Sequence, residues 1–354
     1  MKSLFIADIH ANKYALKAVL QHSTTQKIDQ IYCLGDISGY FEGTSEVISL
    51  LKTYDVKCIK GNHDGFISGQ AQINNKKAYY EAYLSTLKKL TNQEKNWISS
   101  LPNQLILKEK GHITNLYHGG PNDLLNEYTY PSKIKSSYFE WNGANFFLFA
   151  HTHLQFGIGI NNKLFLNPGS VGLPRNGDYR AHFLTIDFEN IDVTPYRISY
   201  DINKMIDDCL YSKAIHPTYL HNLIFGRTST KPLSAHTIDQ SYLQEFITLN
   251  PNIYIINTKF GLILEIECIQ NNANIIYIAF YQDNTVEISS STLVFHWQLD
   301  LNLTEMNAIN LEKDSAGYYY LAKYEKNDFN KNIKANISLA LEIVSKFKIK
   351  NVKI

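Results

Sequence analysis

The chain has 354 residues, of which 44% are apolar and 19% are charged, and its formal net charge at pH 7 is +1. This near-neutral charge argues against a broad basic field for nucleic acid, although a local basic patch is compatible with it. The cysteines form no C-x-x-C pair, Asp8 and His10 interrupt the opening apolar run, and no stretch approaches the roughly 18 apolar residues of a membrane span. We therefore expect a cytoplasmic protein with reduced thiols, no signal peptide and no membrane segment.

The first part of the chain alternates apolar runs with helical patterns. Three apolar runs each end in polar residues: "LFIAD" (4–8), "IYCLGD" (31–36) and "VKCIKGNHD" (56–64). Between them, Asn12 is a candidate N-cap of a helix that reaches about His22, and a second helix spans Ser45–Tyr54. Strand–helix–strand units of this length predict a parallel sheet with its functional residues at the carboxyl ends of the strands.

The middle of the chain changes from helices to strands. Residues 74–101 have the pattern of two helices, and the segment 104–121 has the pattern of a hairpin. Short strands with turns between them are predicted next: "NFFLFAHTH", "FGIGI", "KLFLNPGS", "HFLTIDF" and "VTPYRISY". Two helices, at about 202–211 and 216–225, close this region.

The last third of the chain has the pattern of a smaller domain. A Gly/Ser/Thr/Pro-rich stretch predicts a linker over residues 227–236, so that the first domain covers 1–226 and the second 237–354. The second domain is expected to be α+β, with a helix, three or four antiparallel strands and a closing helix. No motif in it indicates a reaction, and its position suggests substrate recognition, a protein partner or self-association.

Seven polar side chains fall at or just after the ends of predicted strands: Asp8, His10, Asp36, Asn62, His118, His151 and His153. A single Asp or His at the end of a strand is more often a capping residue, or a buried side chain with its hydrogen bonds formed, than a metal ligand. On one sheet edge, however, this set would combine oxygen and imidazole ligands, which suits a pair of divalent transition metals. It contains no thiolate, and it has more imidazole than calcium or magnesium sites use.

The order and spacing of these clusters resemble the calcineurin-like metallophosphoesterase superfamily. The segments that carry the resemblance are "ADIHAN", "LGDISGY", "GNHD", "YHGGP", "AHTH" and "NPGSVGLPRNGDYRA". The chain is most similar to the small bacterial and archaeal phosphodiesterase branch over roughly residues 1–226. The resemblance implies an α/β fold, the αββα sandwich of the superfamily.

The resemblance also implies a role for each matching residue. The first metal ion would be held by Asp8, His10 and His153, and the second by Asn62, His118 and His151. Asp36 would bridge the two ions, and His63 would lie near the leaving oxygen without binding metal. Asp64 either orients His63 or is an exposed turn residue.

The activity implied is hydrolysis of a phosphodiester, such as a nucleotide or a nucleic-acid end, by in-line attack of a hydroxide that bridges two divalent ions. Manganese is the first choice of metal, and nickel, iron, zinc, cobalt and magnesium are alternatives. A histidine that titrates near neutrality would suit protonation of the leaving group. The alternative functions are a phosphomonoesterase acting on protein or small molecules and a non-catalytic metal-binding scaffold.

Some residues depart from the family pattern. Alanine stands at positions 7, 11 and 150, where small residues or glycine are usual, but no ligand is lost. The protein-phosphatase branch has an arginine soon after its second Gly-Asp, and "GDISGYF" (35–41) has no basic residue, which disfavours a dedicated phosphoprotein phosphatase.

Two arginines and four aromatic residues are candidates for substrate contact. Arg175 and Arg180 can bind phosphate through forked hydrogen bonds, and a surface arginine paired with Asp178 is the alternative. Four aromatic residues in predicted loops are candidates for lining the pocket and stacking on a base: Tyr40, Phe41, Tyr128 and Tyr130.

Overall fold

The structure is a computed structural model, and it describes residues 1–134, 143–176, 178–216, 219–220, 222–223, 226 and the strands of the C-terminal region given below. The chain divides into two compact units, the first made of Met1–Arg175, Tyr179–Thr228 and Val294–His296. The second contains Asn176–Asp178, Ser229–Leu293 and Trp297–Ile354. The predicted linker over 227–236 lies outside the described residues, as do both helices expected in the second domain.

The first unit begins with a five-stranded sheet in the order β10-β9-β1-β2-β3. Its strands are β1 (Lys2–Ile6), β2 (Gln30–Cys33), β3 (Lys57–Cys58), β9 (Ala181–Asp187) and β10 (Asp192–Ile198). The first three strands are parallel, as their crossover helices require, whereas β9 and β10 join the sheet antiparallel to β1.

The helices of this unit were predicted from the sequence, except for α3, which follows β3 directly. They are α1 (Lys13–Thr25), α2 (Thr44–Thr53), α3 (Asn62–Ile67), α4 (Tyr80–Lys89), α5 (Asn92–Ser100) and α6 (Ile202–Tyr211). Asn12 caps α1 as predicted, because its Oδ1 accepts a hydrogen bond from the Ala15 amide at 3.1 Å. Of the helix expected at 216–225, the described residues include four helical positions.

Helices α1 and α2 cover one face of the first sheet. The apolar stripe of α1, including Leu16 and Leu20, is fully buried against Leu4 and Ile6 of β1 and Leu51 of α2. Burying a leucine side chain contributes about 1.5–3 kcal/mol, so this layer is a principal source of stability. The layer also fixes where β1 and β2 end, and therefore where the polar residues beyond them lie.

A second sheet packs against the first and has the order β15-β7-β8-β6-β5-β4. Its strands are β4 (Gln104–Glu109), β5 (His112–Tyr117), β6 (Phe146–Leu148), β7 (Gln155–Ile160), β8 (Lys163–Pro168) and β15 (Val294–Phe295). The ring of Phe188, which follows β9, lies 6.5 Å from that of Phe5 in β1 and 5.5 Å from that of Phe146 in β6. These contacts join the two sheets, and the predicted α/β class is confirmed.

The second unit contains a six-stranded antiparallel sheet in the order β11-β12-β13-β14-β17-β16. Its strands are β11 (Ile253–Thr258), β12 (Gly261–Glu267), β13 (Ile275–Phe280), β14 (Thr285–Ser290), β16 (Glu312–Lys313) and β17 (Tyr319–Glu325). The sequence predicted three or four strands in this unit, and the two further strands of the sheet are β16 and β17. Within the described part of the chain, no helix has both the length and the apolar character needed to span a bilayer.

Candidate metal centre

The seven strand-end residues come from both sheets of the first unit. Asp8 and His10 follow β1, Asp36 follows β2, and Asn62 opens α3 just beyond β3. From the second sheet, His118 follows β5, and His151 and His153 follow β6. The expectation of a single sheet edge was therefore wrong, because β5 and β6 belong to a separate sheet whose carboxyl ends meet those of the first.

Five of these residues have a left-handed backbone: Asp8 (φ 50°), His10 (φ 49°), Asp36 (φ 53°), His151 (φ 63°) and His153 (φ 60°). Such conformations cost on the order of 1–3 kcal/mol each and persist where the surroundings hold them. The amide of Asp8 donates to the Gly35 carbonyl at 3.0 Å, and that of His10 donates to the Asp36 carbonyl at 2.9 Å. These hydrogen bonds join the loop after β1 to the loop after β2. They stabilise the strained backbone that brings the candidate ligands together.

The first group of candidate ligands is Asp8, His10 and His153, which are all buried. The His10 ring places Nδ1 3.2 Å from the Ser38 carbonyl, and the His153 ring places Nδ1 2.5 Å from the Leu173 carbonyl. Each Nδ1 therefore carries a proton, and the unprotonated Nε2 atoms of the two rings face each other at 3.1 Å. Oδ2 of Asp8 is buried without a hydrogen-bond partner among the described residues.

The second group is Asp36, His118 and His151. Nδ1 of His118 lies 2.8 Å from the Leu34 carbonyl, so that its Nε2 faces Asn62 Oδ1 at 3.0 Å and Asp36 Oδ2 at 3.4 Å. Both of those oxygens are hydrogen-bond acceptors. The same Asp36 oxygen lies 3.6 Å from Nε2 of His10, and it therefore sits between the two groups.

The electrostatics of the cluster indicate a site for cations. Burial raises the pKa of Asp8 to about 8. Burial also acts against a charged His118, but the adjacent Asp36 carboxylate outweighs it and raises the pKa of His118 to about 9. The Nε2 lone pairs of His10 and His153 face each other, and a cation between them would stabilise this buried contact. The donor set, with carboxylate, amide and imidazole atoms, fits divalent transition metals.

His63 lies beside the two groups and lines the cavity above them. Its backbone amide donates to Asp36 Oδ1 at 2.8 Å, and its ring centroid lies 4.9 Å from that of His10 and 4.7 Å from that of Tyr79. Burial lowers the pKa of His63 to about 4. With this pKa the imidazole is neutral at pH 7.

Asp64 is fully buried, so it is not the exposed turn residue of the alternative interpretation. Its carboxylate accepts hydrogen bonds from the amides of Ile37 (3.2 Å), Ser38 (3.0 Å) and Gly61 (3.1 Å), and from the Ser38 hydroxyl (3.0 Å). The carboxylate therefore joins the loop after Asp36 to the turn that carries Asn62, and its oxygens are occupied by those donors.

The two candidate arginines occupy different surroundings. The guanidinium of Arg175 lines the cavity, and its Nη2 donates to the Tyr40 hydroxyl at 3.0 Å. Arg180 is 3% exposed and is not among the cavity-lining residues, so the interpretation as a surface arginine was wrong for it. Of the two arginines, Arg175 lines the cavity over the candidate metal centre.

The "NPGS" segment (167–170) forms hydrogen bonds with the loops that carry the candidate ligands. The Ser170 hydroxyl donates to the Asp8 carbonyl at 2.7 Å and accepts from the Leu173 amide at 2.8 Å. Asn167 donates from Nδ2 to the Ala150 carbonyl, just before His151, at 3.1 Å. These contacts tie the ends of β1 and β6 to one turn.

An open cavity of about 370 Å³ lies over the centre. The residues that line it are Asp36, Tyr40, Asn62, His63, Lys76, Lys77, Ala78, Tyr79, Tyr128, His151, His153, Arg175 and Tyr219. Of the four aromatic candidates, Tyr40 and Tyr128 line it, Tyr130 stacks on Tyr128 with ring centroids 6.0 Å apart, and Phe41 is fully buried elsewhere.

Sequence reasoning missed Lys76, Lys77, Tyr79 and Tyr219. For the two lysines and Tyr79, the available signal was the run of basic and aromatic residues in "KKAYY" (76–80).

Comparisons with known proteins agree with this geometry. A family model described as "Calcineurin-like phosphoesterase superfamily domain" matches residues 1–190. An uncharacterized protein of Methanocaldococcus jannaschii is 29% identical over 243 residues, which are 62% of this chain and 96% of that protein.

Two solved structures are similar over a comparable share. A metallophosphoesterase from Sphaerobacter thermophilus is 27% identical with a TM-score of 0.55, over 64% of this chain and 100% of that chain. A hypothetical protein from Pyrococcus horikoshii is 24% identical with a TM-score of 0.57, over 64% of this chain and 99% of that chain, and it supports the fold alone.

Proposed function

The chain belongs to the calcineurin-like phosphoesterase superfamily, and on that premise we propose that it is a dinuclear metal-dependent phosphodiesterase acting on a nucleotide or a nucleic-acid end. One divalent ion would be held by Asp8, His10 and His153. The other would be held by Asn62, His118 and His151. The position of Asp36 Oδ2 between the two groups supports a bridging role for that carboxylate.

The observation that carries the proposal is the approach of two unprotonated nitrogens. Nε2 of His10 and Nε2 of His153 are 3.1 Å apart, although each ring already uses its Nδ1 as a donor. With both rings in these tautomers neither nitrogen donates to the other, and a cation that both contact would stabilise the pair. The buried Oδ2 of Asp8, which has no hydrogen-bond partner among the described residues, offers a further oxygen ligand to such a cation.

Two bound divalent ions would supply Lewis-acid polarisation of the phosphate and a water made acidic enough to attack at neutral pH. The chain's own residues orient the substrate. Arg175 has a neutral phenol as its hydrogen-bond partner, which leaves its positive charge for a phosphate oxygen. His63 would donate its N–H to the leaving oxygen, which a neutral imidazole can do as negative charge develops there.

The shape of the cavity favours a diester over a monoester. The ring of Tyr79 lies 4.7 Å from that of His63, and the ring of Tyr128 lies 4.0 Å from that of His151. The cavity reaches both tyrosines, so that a group can be accommodated on each side of the phosphorus.

We also propose that residues 1–226 form the catalytic domain, that 227–236 are a linker, and that 237–354 are an accessory domain for partner binding or self-association. The family model ends at residue 190, and the relatives align nearly full-length with 62–64% of this chain, which supports an added C-terminal part. Cys33, Cys58 and Cys209 are buried free thiols, which supports a cytoplasmic location.

The test is metal reconstitution of the full chain. The protein is treated with a chelator, and hydrolysis of bis(p-nitrophenyl) phosphate and p-nitrophenyl phosphate is measured after adding Mn²⁺, Ni²⁺, Fe²⁺, Zn²⁺, Co²⁺ or Mg²⁺. We expect diester cleavage to return, and to be fastest with Mn²⁺. Faster cleavage of the monoester would identify a phosphatase, and stoichiometric metal binding without cleavage of either would identify a scaffold.

A further inference from the structure

A short basic and aromatic segment forms one wall of the cavity. It consists of Lys76, Lys77, Ala78 and Tyr79, lies between α3 and α4, and is here called the KKAY segment. Its backbone is held in turns, because Asn74 accepts from the amides of Lys76 (2.9 Å) and Lys77 (3.0 Å). Four consecutive residues of one turn therefore present two ammonium groups and one phenol ring to the same space.

Tyr79 is fixed beside the proposed leaving-group side of the site. Its half-buried ring stacks on Phe66, with centroids 6.2 Å apart and planes 16° apart, and meets Tyr40 edge-on at 5.4 Å. It also contacts His63 at 4.7 Å. These three contacts fix the orientation of the Tyr79 ring. The ring can therefore stack on a planar leaving group that departs on the side of His63.

The lysines of the KKAY segment add positive charge to the wall of the cavity. Both side chains are exposed, and among the described residues neither ammonium takes part in an ion pair. Of the described residues that line the cavity, Asp36 alone is a carboxylate, and it belongs to the metal centre. Beyond the centre, the cavity therefore favours a ligand with more negative charge than the scissile diester alone.

We propose that the KKAY segment binds the leaving arm of a single-stranded oligonucleotide, with the first base stacked on Tyr79 and the next phosphate paired with Lys76 and Lys77. The inference rests on the proposed phosphodiesterase function. In the reaction, water adds across one P–O bond: the phosphorus keeps the new oxygen, and the leaving arm departs with its own oxygen and a proton as an alcohol. The phosphate thus remains on the nucleoside at the His151 side of the site.

The first experiment compares substrates on the Mn²⁺-loaded full chain. The values of kcat/KM are measured for the dinucleotide TpT, for pTpT and TpTp, which add a phosphate at one end or the other, and for bis(p-nitrophenyl) phosphate. One of the two extended dinucleotides should exceed TpT by about tenfold or more, as expected for a phosphate that gains charge-assisted contacts. The advantage should shrink as the salt concentration rises.

The second experiment assigns that advantage to the segment. In the double variant Lys76→Ala/Lys77→Ala, the ratio of kcat/KM for the extended dinucleotide to that for TpT should fall to about one. The matched control, Lys17→Ala/Lys88→Ala, removes two exposed lysines of α1 and α4 and should keep the wild-type ratio. Because the readout is a ratio within one protein, partial misfolding does not mimic the result.

The stacking contact is tested by comparing Tyr79→Phe with Tyr79→Ala. Phenylalanine keeps the aromatic face, so its kcat/KM for TpT should stay near wild type, whereas alanine should lose about tenfold or more on TpT relative to wild type. No hydrolysis of any diester would refute the proposed function itself. Hydrolysis of bis(p-nitrophenyl) phosphate without preference for either extended dinucleotide, or a preference that survives Lys76→Ala/Lys77→Ala, would overturn this inference alone.

Discussion

Nε2 of His10 and Nε2 of His153 face each other at 3.1 Å in a site where both side chains are buried. The two histidines are 143 residues apart in sequence and come from different sheets. Both residues have a strained left-handed backbone, which positions the two rings for this contact. Replacing either ring removes one of the two nitrogens.

Separate loss of the two metal ions is therefore the first prediction. His153→Ala should bind one equivalent of Mn²⁺ after gel filtration instead of two, because Asp36, His118 and His151 remain together. Asp36→Ala should bind less than one equivalent, since its carboxylate serves both groups. Metal content is measured by mass spectrometry, with His112→Ala in β5 as a matched control that should retain two. Equal metal content in His153→Ala and wild type would contradict the assignment.

The second prediction concerns His63. His63→Ala should retain both metal ions but lower kcat for a nucleoside leaving group by about 10²–10⁴-fold, the usual contribution of a positioned proton donor. Bis(p-nitrophenyl) phosphate should lose much less, because p-nitrophenolate leaves without a proton. Both substrates are measured on the same Mn²⁺-loaded preparation. An equal loss on both would assign His63 to packing against Tyr40 and Tyr79 instead of to the leaving group.

The sequence predicted most elements of the first unit, although not α3, because local signals mark where they begin and end. Asn12 caps α1, and Thr91 with Glu94 forms the capping box that starts α5. The division of the ligands between two sheets was not predictable from such signals. Apolar runs in a sequence look alike whether the strands that they form belong to one sheet or to two. The division into two sheets depends on tertiary packing, such as the contacts of Phe188 with Phe5 and Phe146.

The candidate ligands were found because their types and order are distinctive, whereas the walls of the cavity were found only in part. Tyr79 and Tyr219 come from segments with helical patterns, and nothing in the sequence indicates that these segments face the strand ends. Of the two alternatives for Asp64, the exposed turn residue was wrong, because the side chain is fully buried. Its partners lie in a different loop, at Ile37 and Ser38, and loop-to-loop hydrogen bonds leave no trace in local sequence.

Arg175 gives the third prediction. Arg175→Ala should lower kcat/KM for diesters by about 10–100-fold, mainly through KM, because one charge-assisted contact to the phosphate is lost. Tyr40→Phe removes the partner hydroxyl of Arg175 but keeps the ring, so its loss should be smaller and of the same kind. Steady-state kinetics on bis(p-nitrophenyl) phosphate measure both. A wild-type KM in Arg175→Ala would exclude the guanidinium from substrate binding.

Asp64 gives the fourth prediction, which is about stability. Asp64→Ala leaves three buried amides without their acceptor, and it should lower the free energy of unfolding by about 3 kcal/mol or more. Ser38→Ala removes one hydroxyl donor from the same carboxylate and should cost only about 0.5–1.5 kcal/mol. Urea unfolding at pH 7.5 distinguishes the two. Similar small losses in both variants would show that the loop after β2 is held by other contacts.

Gly172 gives the last prediction, because its backbone passes directly against the first ligand loop. A Cβ at this position would overlap the carbonyl oxygen of Ile9, which lies between Asp8 and His10. Gly172→Ala must therefore push the loop away, at a cost of about 3 kcal/mol or more, and should weaken metal binding by the Asp8 group. Gly159→Ala in β7 meets only the Leu164 side chain at 3.6 Å and is the control, with a loss of at most about 1 kcal/mol. Thermal unfolding with and without Mn²⁺ measures both effects together. If Gly172→Ala is as stable as Gly159→Ala and is stabilised by Mn²⁺ to the same extent, the loop is free to move, and the close approach of the two backbones does not position the ligands.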